Sequence, residues 1–154
     1  MRYFVQTVHF SPSFEKLGYQ YIGNNQYVYT DGSLWESKEL LDLGWGNENG
    51  LIRLPLPDYD KLLLLAFQPI KEQKTVSDEQ YNVWGALSIL LEKYPLVFLK
   101  YIEDRINDTN FVRKLLPRYP LIDRILYWNE SKIHLLSQND QEIARKWGLI
   151  KKRL

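Results

Sequence analysis

Two histidines, His9 and His134, are the only imidazoles in the chain; they stand 125 residues apart, and there is no cysteine. Two imidazoles titrating near neutrality suffice for a metal-independent ribonuclease. One would act as general base and the other as general acid around a phosphodiester, with Arg or Lys stabilising the developing charge. The competing reading of His9 is a packed, hydrogen-bonded residue, because it lies in the aromatic segment YFVQTVHF. Metal chemistry has less to work with. No His-x-x-x-His or Cys/His spacing is present, and Asp58 and Asp60, just before a leucine run, read as acids at a helix N-terminus favoured by its dipole. No phosphate loop of the Gly-x-x-x-x-Gly-Lys type occurs. Gly44-Trp45-Gly46 with Gly50 is glycine-rich, but the expected helix precedes it, whereas a phosphate cradle needs a helix N-terminus after it. Nucleophilic catalysis needs a Ser beside a positioned base. No Gly-x-Ser-x-Gly elbow exists, and the serines near motifs are explained by capping. The residues therefore point to a non-enzymatic protein with no cofactor and no metal.

Charge narrows the partners. Net charge is +1, split as −2 over residues 1–76 and +3 over residues 77–154. Phosphate neutralisation needs a far larger basic excess, so nucleic acid is not the expected partner. The terminal RKWGLIKKRL groups Arg145, Lys146, Lys151, Lys152 and Arg153 around Trp147. Such interleaving can serve single strands or anionic membranes. A block this short reads first as cations at a helix C-terminus followed by a solvated tail. The N-terminal MRYFVQTVHF lacks a secretory signal pattern. The most apolar run, Leu62 to Phe67, is too short for a bilayer, and a cysteine-free chain fits a reducing compartment. A cytoplasmic protein with no membrane partner is expected.

The elements that would position these residues change character near Ser77. Six of the eight glycines fall in the first 50 residues, among short alternating segments rich in tyrosine. Residues 3–10 read as a strand. YQYI and QYVYT flank Gly23-Asn24-Asn25, the strongest hairpin signal, and Tyr19, Tyr21, Tyr27 and Tyr29 share one face in a suitable register. Ser33-Leu34-Trp35-Glu36 has capping-box spacing, which predicts a helix over 34–43 ended by Gly44. LIRLPL at 51–56 reads as extended, with Pro55 and Pro57 confining it to a sheet edge or a strand end. Asp58 tips DYDKLLLLAFQ toward helix, and 69–76 reads as a polar linker.

From Ser77 the pattern is helical. Ser77-Asp78-Glu79-Gln80 is a second capping box, and Val83, Trp84, Leu87, Leu90, Leu91 and Tyr94 form a helical stripe. Tyr94-Pro95 and Tyr119-Pro120 each open a helix, with proline in the first turn. A short helix lies between them around Phe111 to Leu116. Asn139 to Glu142 suggests a cap for a last helix that Gly148 ends. The expected fold is α+β, a small antiparallel sheet and hairpin in the N-terminal half packed on an array of short helices. It is read as one domain over 1–154, with a β-rich lobe at 1–76 and a helical lobe at 77–154.

Aromatics make up 14% of the chain, including eleven Tyr and five Trp. Tyr and Trp beside Asn, Gly and Ser is the composition of adaptable recognition surfaces. The hairpin tyrosines and a loop-borne Trp45 are candidates for a protein-binding face. Asp42, Glu48, Asp58 and Asp60 would form an acidic face complementary to a basic partner. In general character the chain resembles bacterial immunity proteins that neutralise polymorphic toxins. No segment carries a signature of that group, so no residue roles transfer from it. The resemblance implies a non-enzymatic inhibitor binding a cognate, basic toxin domain. The alternatives are the two-histidine ribonuclease and an oligomeric helical scaffold.

Overall fold

A computed structural model describes residues 1–6, 13–40, 48–70, 77–131 and 137–154. The chain forms two compact units, Met1–Ile89 and Leu90–Leu154. Among the described residues the first unit holds five strands, β1 (Phe4–Gln6), β2 (Tyr19–Gly23), β3 (Gln26–Tyr29), β4 (Leu34–Leu40) and β5 (Glu48–Arg53). They make one antiparallel sheet in the order β1-β5-β4-β3-β2. The helices are α1 (Tyr59–Ala66), α2 (Asp78–Lys93), α3 (Pro95–Glu103), α4 (Thr109–Leu115), α5 (Tyr119–Ser131) and α6 (Gln138–Lys151). The fold is α+β, with the sheet in the N-terminal half and, among the described residues, five α-helices in the C-terminal half.

The hairpin forms where its turn residues permit it. Asn24 and Asn25 sit at φ 51° and 59°, the left-handed pair that matches the twist of the flanking strands. Between Tyr21 and Gly23 the register slips by one residue, leaving Ile22 as the extra residue of a bulge.

The helix expected over 34–43 is corrected for its described part: Leu34–Leu40 is strand β4. The Ser33 hydroxyl does not cap a helix. It accepts from Trp35 Nε1 at 2.8 Å and donates to the Asp31 carboxylate. With β3 on one side and β5 on the other, β4 satisfies its backbone twice over and buries Trp35. Tertiary pairing thus outweighs a local capping pattern. LIRLPL contributes to β5, which ends at Arg53, two residues before Pro55. Flanked by β1 and β4, β5 is an interior strand, so the prolines mark its end and not an edge.

The first unit buries both faces of β1. Val5 joins Phe14, Tyr19, Trp35 and Leu51 in one cluster, while Phe4, on the opposite face, lies against Gly85 of α2. The α2 positions 78, 82 and 85 meet the chain at residues 2, 3 and 4. Arg2 Nε donates to Asp78 at 2.8 Å. Buried Asn82 accepts from the Tyr3 amide at 2.7 Å and donates to the Met1 carbonyl at 2.8 Å. Each polar group in this clasp is matched, as burial demands. The Ser77 capping box forms as its spacing predicts: Gln80 N–H donates to Ser77 Oγ and Ser77 N–H to Gln80 Oε1, both at 3.2 Å. Asp58 likewise caps α1, accepting from Lys61 N–H at 2.8 Å.

In the second unit, Pro95 occupies the first turn of α3, and Asp108 caps α4 through the amides of Asn110 and Phe111. A 3-10 turn, Leu116–Arg118, leads into α5. Helix α6 packs on α3 and α5. Trp147 Nε1 donates to Asp123 at 3.0 Å, and Lys151 pairs with the same carboxylate oxygen at 2.9 Å. Two expectations about α6 are corrected. Its cap is Ser137, which accepts from Asp140 N–H at 3.2 Å, rather than Asn139. Gly148 does not end it; the helix runs on to Lys151 because Gly148 keeps a helical conformation.

Candidate functional site

The hairpin register pairs Tyr19 with Tyr29 and Tyr21 with Tyr27, which puts all four tyrosines on one face. That face is graded. Tyr19 is 0% exposed, Tyr27 and Tyr29 are partly buried, and Tyr21 is 52% exposed. Tyr19 stacks on Tyr29 with centroids 4.4 Å apart and meets Trp35 edge-on at 5.2 Å. Phe14 reaches Tyr27 edge-on at 5.5 Å, and Tyr27 in turn contacts Tyr21 at 5.2 Å. Each contact of this kind adds about 0.5–1.5 kcal/mol beyond the area it buries. The outer tyrosine is therefore a ring held at one end of a braced ladder.

At the buried end lies a polar cleft of about 380 Å³. Tyr19, Tyr29 and Trp35 line it together with two ion pairs. One is Arg2 with Asp78; the other is Arg53 with Asp31, at 3.7 Å. Arg53 also lies over the Trp35 ring, 5.9 Å from its centroid. The Ser33 hydroxyl and amide hold the Asp31 carboxyl below its usual range, with Arg53 adding to the effect. Burial pushes the Tyr19 phenol up, against the pull of the neighbouring Arg2 guanidinium. Burial works to lower the Arg2 pKa in turn, but Tyr19 and Asp78 more than offset it.

The Tyr19 hydroxyl itself is buried and meets no partner at full hydrogen-bond geometry, although the Arg2 guanidinium is near enough to act on it electrostatically. An unpaired buried hydroxyl costs stability. Tyr19→Phe is accordingly expected to raise the unfolding free energy by about 1 kcal/mol, read by urea titration. Destabilisation instead would make Arg2 a true partner of the hydroxyl.

The remaining candidates lie on other segments of the chain. Asp58 and Asp60 are exposed at the start of α1, where Asp58 is engaged as the cap. Glu48 opens β5. His9, His134, Asp42 and Trp45 lie outside the described residues. Among the described residues no group of three or more His, Asp or Glu is placed to hold a metal ion, and no helix is long and apolar enough to cross a membrane. Sequence reasoning missed the cleft, whose charged groups come from residues 2, 31, 53 and 78. Its one legible trace is Asp31-Gly32-Ser33, a turn sequence whose Asp accepts from the Ser33 amide at 2.8 Å.

No protein-family model matches the chain, and neither a curated protein nor a solved structure matches it.

Proposed function

We propose that this chain is a non-enzymatic protein-binding module of the immunity type, which binds and neutralises a cognate toxin domain through the outer end of its tyrosine ladder. The observation that carries the reading is Tyr21, half exposed yet braced through Tyr27 onto Phe14. A large amphipathic ring already held in place loses little entropy on binding, which is how aromatic anchors come to dominate interfaces. Next to it in the chain, Ile22 is 53% exposed. The bulge at Ile22 disturbs the free edge of β2, which disfavours simple addition of a partner strand. Recognition by side chains fits better.

Titration calorimetry against the product of a neighbouring gene, if that gene encodes a toxin-like protein, tests this. A tight complex is expected, weakened roughly thirtyfold by Tyr21→Ala, as for a hot-spot anchor, with the unfolding midpoint of the free protein little changed. A protein that stays alone at micromolar concentration beside that product would sink the reading. Equal affinity of wild type and Tyr21→Ala would remove this face from it.

A further inference from the structure

Within the Leu90–Leu154 unit, Tyr119 of α5 and Arg145, Gly148, Leu149, Lys151 and Lys152 of α6 line an open groove of about 590 Å³. Gly148 and Leu149 stand three and four residues after Arg145 and four and three before Lys152, so the four share a face of α6. Two features of that face are out of keeping with a plain solvated helix. Leu149 is 61% exposed between the cations. Gly148 lies inside the helix, where only proline is less favourable, yet a Cβ built on it would meet nothing within 4 Å. Packing does not ask for glycine here. Alanine would fit and would strengthen the helix. A bare backbone at the floor of a groove is what close approach by another molecule needs.

We propose that this groove docks an acidic, amphipathic segment of another polypeptide. Its apolar side chain would rest on Gly148 and against Leu149, and its carboxylates would pair with Arg145, Lys151 and Lys152. The cations set the sign of the partner's charge. The exposed leucine and the apolar ring of Tyr119 favour a peptide over a phosphodiester backbone, which offers no apolar group to cover them. Lys151 is already held by Asp123 at 2.9 Å, and Arg145 donates to Gln141 Oε1 at 3.2 Å, so both heads are partly pre-positioned. The groove is built from residues of the second unit alone, and the proposal does not rest on the tyrosine face.

The test is fluorescence anisotropy with a labelled peptide of glutamate and leucine at helical spacing, with a single-stranded oligoribonucleotide and phosphatidylserine vesicles as rival probes. The peptide is expected to bind, and its binding to fade at high salt. Lys152→Glu should abolish binding, and Tyr21→Ala should leave it unchanged. Gly148→Ala is the decisive variant. It should raise the melting temperature by about 3 °C while weakening the peptide about tenfold, a split that a merely structural glycine cannot produce. Absence of peptide binding, equal affinity in Gly148→Ala, or tighter binding of either rival probe would overturn the proposal.

Discussion

Gly85→Ala should destabilise the protein by about 3 kcal/mol, the upper end of ordinary overpacking penalties, even though alanine is the better helix former by about 1 kcal/mol. The new methyl would overlap Phe4 Cγ and lie 2.7 Å from Phe4 Cβ. Phe4 has nowhere to go. It is buried, its strand is paired through Phe4 and Ile52, and the preceding amide is held by Asn82. Relief requires α2 to move away, which strains the Arg2–Asp78 pair and the Asn82 clasp together. Thermal and urea unfolding of the single variants and the double variant with Phe4→Ala would read the effect. Phe4→Ala alone should cost about 3–5 kcal/mol for its cavity. The double variant should cost less than the sum, because the ring clash has gone. Rescue should stay partial, since a Cβ remains at position 4. A Gly85→Ala protein as stable as wild type would refute this account of how the sheet and α2 meet.

Trp35→Ala is the second large effect, about 3–5 kcal/mol, and it should remove the binding surface as well. Trp35 is 1% exposed. It braces Tyr19 on one side and lies under Arg53 on another. Its Nε1 holds the Ser33 hydroxyl, which in turn holds Asp31. Deleting the indole therefore releases the inner end of the tyrosine ladder and one wall of the cleft in a single step. Trp35→Phe separates the two roles: it keeps most of the apolar body and loses the Nε1 donor, at a cost of about 1–2 kcal/mol. Urea midpoints with near-ultraviolet circular dichroism would distinguish them, since the aromatic signal should collapse in Trp35→Ala and persist in Trp35→Phe. A loss below about 1 kcal/mol for Trp35→Ala would contradict the buried-indole account.

What could be read from residue order was chemistry that neighbours complete among themselves. The Asn24-Asn25 turn, the Ser77–Gln80 box, the Asp58 cap and the proline start of α3 each close within a few residues. The α+β class followed from those local signals, because a backbone that can satisfy its own hydrogen bonds nearby needs no distant partner. The same logic misled at Ser33. There the capping pattern was present, but Leu34–Leu40 found strands on both sides, and the burial of Trp35 decided for the sheet. At Gly148 the local rule foresaw a helix end, and the helix continues.

Tertiary structure alone brought Arg2 to Asp78, Arg53 to Asp31, and Phe4 to Gly85. It also sorted four tyrosines of one residue type into a buried anchor, two braces and an exposed tip. The reason is that side-chain burial and ion pairing depend on distance in space, and residues 2 and 78 share no spacing that a linear chain displays. Sequence by itself thus determined the class of the fold and the aromatic character of its hairpin. Which of those rings meets solvent, and which charges stand beside them, was settled only by the packing of the sheet.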